Sequence, residues 1–181
     1  MEQDVIRVAV AGAAGRMGRE VVRAVQNAEG MVLVAAVDRF HLGEDIGTLV
    51  GSGPCGVGIT DALDTALEAS GAQVLIDFTL PDSVLVNVRQ ALSRGISAVV
   101  GTTGLSKADL DSLDVLARTN GAGLFVAPNF AIGAVLMMQF AEQAAKYLPD
   151  VEIIELHHDR KVDSPATVGP TACGLLTRPS A

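Results

Sequence analysis

The sequence is poor in aromatic residues and carries an excess of negative charge. It contains no tryptophan, and aromatic residues make up 3% of the chain, too few for the stacking surfaces that bind single-stranded nucleic acid. The formal net charge is -8 at pH 7, whereas a nucleic-acid-binding domain usually presents a basic face. Nucleic acid is therefore not an expected partner.

Cysteines and long apolar segments are also scarce. The two cysteines, Cys55 and Cys173, lie far apart and form no CxxC pair, so neither a disulfide framework nor a zinc site is expected. No run of apolar residues is long enough to span a membrane, and the first residues lack the layout of a signal peptide. We expect a cytoplasmic protein without a bound metal and without a membrane partner.

The chain does contain many apolar residues and turn-forming glycines. Hydrophobic residues account for 49% of the chain, together with 19 glycines. Short apolar runs that suit buried strands alternate with segments of helical spacing. The expected strands are 6–11, 31–37, 74–76, 96–100, 123–127 and 151–157, the expected helices are 18–28, 62–69, 81–93, 106–118 and 132–147, and 41–60 is expected to be loop. This alternation predicts an α/β fold with a doubly wound parallel sheet, Rossmann-like in plan.

A glycine-rich turn follows the first expected strand. Residues 12–18 read GAAGRMG and open the first helix. Glycine in such a turn lets the backbone approach a pyrophosphate, and the helix N-terminus supplies free N–H groups and a positive dipole end. Asp38 ends the second strand about twenty residues further on, where dinucleotide-binding domains hold a ribose hydroxyl. Capping of a turn is the alternative interpretation for Asp38.

Three residues bear on which nicotinamide cofactor this turn would accept. Asp38 favours NAD, because its carboxylate accepts hydrogen bonds from ribose hydroxyls. Arg39 follows directly and favours NADP, because a guanidinium pairs well with a 2′-phosphate. Arg16, inside the turn, is a second candidate for that phosphate. The sequence therefore permits both NADH and NADPH.

Small polar residues follow three later strands, in segments 77–79 (DFT), 101–104 (GTTG) and 127–130 (APNF). Ligands of open α/β sheets bind outside the carboxyl ends of the strands, so we expect all three segments to lie beside the glycine turn. Asn129 is a candidate contact for the nicotinamide amide, and the threonine hydroxyls are candidates for cofactor or substrate. Turn chemistry is the alternative for any one segment.

The densest polar segment of the chain is 155–161, ELHHDRK, at the end of the last expected strand. Successive strand residues face opposite ways, so His157 and His158 are not expected to act as a pair or to share a metal. A histidine can donate a proton near neutral pH, and Arg160 with Lys161 would attract an anionic substrate. A charged loop without catalytic function is the alternative.

Together these segments resemble the dihydrodipicolinate reductase family. The matches follow the family's order, with GAAGRMG at 12–18, DFT at 77–79, GTTG at 101–104, APNFAIG at 127–133 and EIIELHHDRKVDSP at 152–165. The resemblance implies a reductase that uses NADH or NADPH to convert 4-hydroxy-tetrahydrodipicolinate to tetrahydrodipicolinate on the diaminopimelate route to lysine. It places the cofactor on Gly12, Ala13, Ala14, Gly15, Arg16, Met17, Asp38, Arg39, Gly101, Thr102, Thr103, Ala127, Pro128, Asn129 and Phe130.

The resemblance also implies roles for the residues of segment 155–161. His157 would be the proton donor or acceptor, Lys161 the second catalytic group, and His158 a contact to the small dicarboxylate substrate. Family members form homotetramers through a region that follows the matched segments, so that state is not carried over to this chain.

Two places depart from the family pattern. Ala131 stands where the family has serine, and after Pro165 the family continues with Ser-Gly-Thr-Ala into a helix that binds a substrate carboxylate. Here residues 166–170 read ATVGP, and Pro170 opposes that helix. We expect a dinucleotide-binding domain over 1–128, the start of an α+β substrate domain over 129–165, and an irregular tail over 166–181 that arose by a frameshift and premature stop.

Three interpretations of function remain open. The first is a reductase of this family. The second is a truncated, catalytically impaired nucleotide-binding module of the same family, which the missing Gly-Thr pair favours. The third is another Rossmann dehydrogenase of the aspartate or homoserine type, which the HHDRK segment at 157–161 argues against.

Overall fold

A six-stranded parallel sheet forms the centre of the first of two units, Met1–Val126, and Ala127–Ala181 forms the second. The computed structural model describes residues 5–127, 130 and 132–148. The strands are β1 (Ile6–Ala11), β2 (Met31–Val37), β3 (Ile59–Thr60), β4 (Val74–Asp77), β5 (Ser97–Val100) and β6 (Leu124–Val126). Across the sheet the order is β3-β2-β1-β4-β5-β6, with every neighbouring pair parallel.

Helices cover both faces of this sheet, as the sequence predicts. The helices of the first unit are α1 (Arg16–Asn27), α2 (Ile46–Val50), α3 (Leu63–Ser70), α4 (Pro81–Ser93) and α5 (Lys107–Thr119). Alternate residues of a strand point to opposite faces, and β1 shows the consequence. Val8 and Val10 pack with α1 and α2, whereas Ala9 and Ala11 pack with α3. The strand order reverses between β1 and β4, the place where doubly wound sheets bind ligands.

Local signals in the sequence explain where two of the helices begin. Pro81 is the first residue of α4, where its missing N–H costs no hydrogen bond. Ser106 caps α5, and Asp109 returns the hydrogen bond to the Ser106 backbone, so the predicted capping box is confirmed. The Ser106 hydroxyl and the Ser106 backbone N–H both donate to Asp109 Oδ2, at 2.6 and 3.0 Å, and these two bonds lower the pKa of the Asp109 carboxyl below its ordinary value.

The expectation that 41–60 is loop is wrong, because this segment contains α2 and β3. The Asp45 side chain accepts from the Thr48 N–H at 2.9 Å and starts the five-residue helix, which Gly51 ends at a φ of 81°. β3 has two residues and pairs with Ala36 and Val37 of β2. Elements this short contain too few residues to show a hydrophobic period. The glycine-rich composition of 41–60 was then the remaining signal, and it favours loop.

One helix of the second unit is described, α6 (Ile132–Ala145), with Met138 as its buried residue. It agrees with the helix expected over 132–147. The expected strand 151–157 and the tail 166–181 lie outside the described residues. None of the helices in the described part of the chain has both the length and the apolar character needed to cross a bilayer.

Candidate nucleotide-binding site

The glycine-rich turn between β1 and α1 is held tightly against the neighbouring strands. The backbone N–H groups of Gly12 and Ala13 both donate to the carbonyl oxygen of Val37, at 2.8 and 3.1 Å. Gly12 has a φ of 76°, and a Cβ there would overlap the carbonyl of Phe78. A Cβ at Gly18 would overlap the Gly12 carbonyl in the same way. The turn therefore requires glycine at both positions.

The first turn of α1 presents unpaired backbone donors at the carboxyl end of the sheet. Gly15 is the N-cap and provides no side-chain hydrogen bond. The first N–H groups of a helix have no intrahelical acceptor, so those of Arg16 and Met17 remain available. Both residues are exposed. Free amides and the positive dipole end together suit a phosphate group.

Asp38 joins the end of β2 to this turn. Its Oδ2 accepts from the Ala14 N–H at 2.9 Å, and its Oδ1 accepts from the Phe40 N–H at 3.1 Å. Capping, the alternative interpretation of Asp38, is therefore observed. A carboxylate offers about four acceptor positions, so two remain for a ligand, and capping does not exclude a ribose contact.

A cavity of about 450 Å³ opens beside these groups, within the usual size range of small-molecule sites. Arg39 lies at its wall, and its Nη2 donates to Ser83 Oγ of α4 at 3.3 Å. Phe40 is 72% exposed and Leu80 is 58% exposed, and both line the cavity. The cavity thus has apolar surfaces that suit a nucleobase, next to polar groups that suit a ribose and phosphates.

Asp77, a fully buried carboxylate at the end of β4, holds several residues beside the cavity. It accepts from the Thr79 N–H at 3.0 Å, the Thr79 hydroxyl at 2.7 Å and the Thr102 hydroxyl at 2.8 Å. A fourth donor is Asn87 Nδ2 of α4, at 2.9 Å. The sequence drew attention to segment 77–79 as a candidate but gave no indication of Asn87, which reaches the site from the middle of a helix.

The segment after β5 is held by Asp77 as well. The Gly101 N–H donates to the Asp77 carbonyl at 2.9 Å, and a Cβ at Gly101 would overlap the Phe78 ring. Thr102 is buried and Thr103 half-buried. Segments 77–79 and 101–104 therefore meet at the carboxyl edge of the sheet, next to the glycine turn.

The remaining candidate residues belong to the second unit or lie outside the described residues. Ala127 is half-buried and Phe130 is exposed. Their part in the site stays a prediction. The following candidates lie outside the described residues: Pro128, Asn129, His157, His158 and Lys161.

The sheet order, the glycine turn and the Asp38 cap define a Rossmann-type α/β domain. Matches to models of protein families assign the chain to a narrower group. The model for the N-terminus of dihydrodipicolinate reductase matches residues 6–130, and the model for its C-terminus matches residues 133–176. The chain belongs to the dihydrodipicolinate reductase family. The second match extends beyond Pro165, where the resemblance read from motifs ends.

Individual relatives agree with this classification. The chain is 52% identical over 162 residues to a 4-hydroxy-tetrahydrodipicolinate reductase of Desulfitobacterium hafniense. This alignment covers 89% of this chain and 61% of that protein. It is 49% identical over 161 residues to the Moorella thermoacetica reductase, covering 89% and 60%. A dipicolinate-bound dihydrodipicolinate reductase structure from Paenisporosarcina sp. TG-14 aligns with a TM-score of 0.75 at 40% identity, over 96% of this chain and 66% of that one. The chain thus spans about three fifths of the length of the curated relatives it matches.

Proposed function

We propose that this chain is an NADH- or NADPH-dependent reductase that converts 4-hydroxy-tetrahydrodipicolinate to tetrahydrodipicolinate. The observation that carries the proposal is the glycine turn, held by Asp38 beside a cavity at the point where the strand order reverses. The relatives named above carry the same activity in their names. The Paenisporosarcina structure contains dipicolinate, which supports a small dicarboxylate as the substrate class.

The described residues fit a nicotinamide dinucleotide. Gly12 and Gly18 leave room where a Cβ would block the turn, and the uncapped start of α1 can receive the pyrophosphate. Asp38 has acceptor positions left for ribose hydroxyls, and Arg39 is suited to a 2′-phosphate. When bound, the nucleotide supplies the hydride. The proposed contacts are Gly12, Ala13, Ala14, Gly15, Arg16, Met17, Asp38, Arg39, Gly101, Thr102, Thr103, Ala127, Pro128, Asn129 and Phe130.

The chemistry on the substrate side is proposed from the family pattern in segment 155–161. His157 would hold and transfer the proton, because imidazole exchanges protons near neutral pH. Lys161 would be the second catalytic group, and its positive charge would attract a carboxylate of the substrate. His158 would contact the substrate directly.

A second candidate function is nucleotide binding without turnover. It is favoured by Pro170, which follows the KVDSP segment closely and, as a proline, opposes helix formation. In this case the first unit would bind NADH normally and the substrate would not be reduced. A tetrameric state is not part of either proposal.

A single-turnover assay distinguishes the two functions. The purified chain is mixed with NADH and freshly prepared 4-hydroxy-tetrahydrodipicolinate, and NADH absorbance is followed. The reductase proposal expects oxidation that depends on substrate and falls by at least about a hundredfold in His157→Gln, as expected for a lost proton donor. NADH binding with no oxidation would favour the second function, and oxidation unaffected by His157→Gln would reject the assigned proton donor.

A further inference from the structure

Asp77 is a buried carboxylate for which the fold alone gives no reason. Its side chain is 0% exposed, and it lies in register with Ala11 of β1 and Val100 of β5, in the interior of the sheet. None of the ion pairs among the described residues includes it. Burying a carboxylate without a cation is costly unless hydrogen-bond donors surround it. Asp77 has four such donors, all from uncharged groups.

The chemistry of a carboxylate fixes the direction of every hydrogen bond in this network. An ionised carboxylate only accepts, so the Thr79 and Thr102 hydroxyl hydrogens both point at Asp77. The amide of Asn87 must turn its NH2 group toward Asp77 for the same reason. The second hydrogen of the Asn87 NH2 group points to the Thr79 hydroxyl oxygen, with Nδ2 and Oγ1 3.4 Å apart. Because all of these hydrogens are committed, the Thr79 hydroxyl and the Asn87 amide can offer only oxygen lone pairs elsewhere.

Two of these partners, Thr79 and Asn87, line the 450 Å³ cavity. Their side of the cavity is therefore an acceptor surface. The glycine turn also lines the cavity and leads into the start of α1, where backbone N–H donors are free. Phosphate oxygens only accept and need donors, whereas ribose hydroxyls and an adenine amino group can donate. The acceptor pair and the backbone donors are thus complementary to different parts of one nucleotide.

We propose that Asp77 is a positioning residue that makes Thr79 and Asn87 hydrogen-bond acceptors, and so directs the nucleoside part of the cofactor, not its phosphates, to their side of the cavity. The inference rests on the proposed function, because it takes a nucleotide as the occupant. Asp77 acts through its partners and does not itself line the cavity.

The same residue also aligns the loop after β5. The backbone carbonyl of Asp77 accepts from the Gly101 N–H at 2.9 Å, while its side chain holds Thr102. Phe78 donates its N–H to the Ala11 carbonyl at 3.0 Å, immediately before the glycine turn. The Gly101 and Phe78 bonds join backbone atoms, so a side-chain substitution at Asp77 leaves them in place. A substitution that reverses one side-chain hydrogen bond therefore alters the acceptor surface without changing the sheet.

Five variants of the full chain test the proposal in NADH titrations: Asp77→Asn, Asn87→Ala, Thr79→Val, Thr79→Ser, and the double variant Asp77→Asn with Asn87→Ala. Asparagine keeps the size of aspartate but introduces an NH2 donor. This donor takes the place of Oδ2, because Oδ1 accepts from three donors, so Asn87 must turn its own NH2 group toward the cavity. Asp77→Asn, Asn87→Ala and Thr79→Val should each raise the Kd for NADH about tenfold, the equivalent of one hydrogen bond. Thr79→Ser keeps the hydroxyl and should restore affinity to within about threefold of wild type.

The double variant separates positioning from general damage. If the effect of Asp77→Asn passes through Asn87, the double variant should also lose about tenfold, whereas independent effects would multiply to about a hundredfold. Asp111→Asn, which removes an exposed carboxylate from an ion pair on α5, is the matched control and should bind as wild type does. Circular dichroism shows which variants are folded.

The outcomes distinguish failure of this inference from failure of the proposed function. A wild-type chain that binds neither NADH nor NADPH would overturn both. Wild-type binding with an unchanged Kd in folded Asp77→Asn, or a hundredfold loss in the double variant, would overturn the inference alone. If Asp77→Asn does not fold, the Thr79 pair decides: weak binding by Thr79→Val with recovery in Thr79→Ser supports the inference, and equal binding by both overturns it.

Discussion

The Asp38 carboxylate accepts a hydrogen bond from the backbone N–H of Ala14 at 2.9 Å. This contact joins the end of β2 to the turn after β1. A dinucleotide bound at this edge of the sheet would have to reach both places. The Asp38 side chain therefore has two functions. Asp38 fixes the backbone path of the turn and is also the proposed acceptor for a ribose hydroxyl.

Replacing Asp38 should therefore affect stability and binding together. Asp38→Ala leaves the N–H groups of Ala14 and Phe40 without their acceptor, which we expect to lower the unfolding free energy by about 1–3 kcal/mol. Asp38→Asn retains one acceptor oxygen and should lose less. Urea unfolding measures the first effect and NADH titration the second. A stable Asp38→Ala variant with wild-type affinity would show that the contact holds neither the turn nor the ligand.

The glycine turn can be tested with a control glycine that has nearly the same φ angle. Gly12 has a φ of 76° and Gly30 a φ of 75°, but a Cβ at Gly30 would meet nothing within 4 Å. Gly30→Ala should cost about 1–2 kcal/mol from left-handed backbone strain alone. Gly12→Ala adds an overlap with the Phe78 carbonyl, so it should be less stable than Gly30→Ala and should lose NADH binding. Equal melting temperatures and equal affinities for the two variants would contradict the requirement for a close approach at Gly12.

Arg39 should decide how much the site gains from a 2′-phosphate. Its Nη2 donates to Ser83 Oγ at a long distance of 3.3 Å, so the guanidinium can turn to a phosphate at little cost. Arg39→Gln should raise the Kd for NADPH about tenfold or more and the Kd for NADH less than about threefold. Ser83→Ala is the control and should leave the ratio of the two Kd values unchanged. An equal loss for both nucleotides would argue against this role.

Asp45 gives a prediction for stability against pH. Its carboxyl accepts from the N–H groups of Thr48, Cys55 and Gly56. The Thr48 bond is the largest of the effects that lower the Asp45 pKa below its ordinary value of 3.8, against an opposing contribution from burial. The folded state therefore holds this proton less tightly than the unfolded chain does. The stabilisation is present above pH 3.8 and is lost as the pH falls through the lower, folded-state pKa.

The measurement is urea unfolding of wild type and Asp45→Asn as a function of pH. Wild type should be the more stable near neutral pH, and the difference should shrink as the pH falls below 3.8. Asp111→Asn, an exposed carboxylate with one lysine partner, is the control and should change little. A difference between wild type and Asp45→Asn that stays constant down to strongly acid pH would contradict the assignment.

The parts of the fold that the sequence predicted correctly are those with strong local signals. Apolar runs define β1 and β2, Pro81 marks the start of α4, and the Ser106–Asp109 pair marks the start of α5. The glycine spacing indicated the turn before α1 because a left-handed φ and a close backbone contact both require that residue type. Each of these signals depends on neighbours in the chain and therefore survives without tertiary information.

The parts that sequence analysis missed depend on contacts between distant residues. Asn87 reaches Asp77 from the middle of α4, and nothing in the helix pattern distinguishes it from a surface asparagine. α2 depends on Asp45, which also holds the loop at Cys55 and Gly56. The roles of His157, His158 and Lys161 stay predictions, since they rest on the family pattern.

The most direct test of the central claim is a titration of the full chain with NADH and NADPH, followed by nucleotide fluorescence, with Gly12→Ala measured alongside. The account predicts saturable binding of at least one nucleotide by wild type and a loss of that binding in a Gly12→Ala variant that is still folded. A folded wild-type chain that binds neither nucleotide, or a Gly12→Ala variant that binds as tightly as wild type, would contradict the proposal that this turn holds the cofactor.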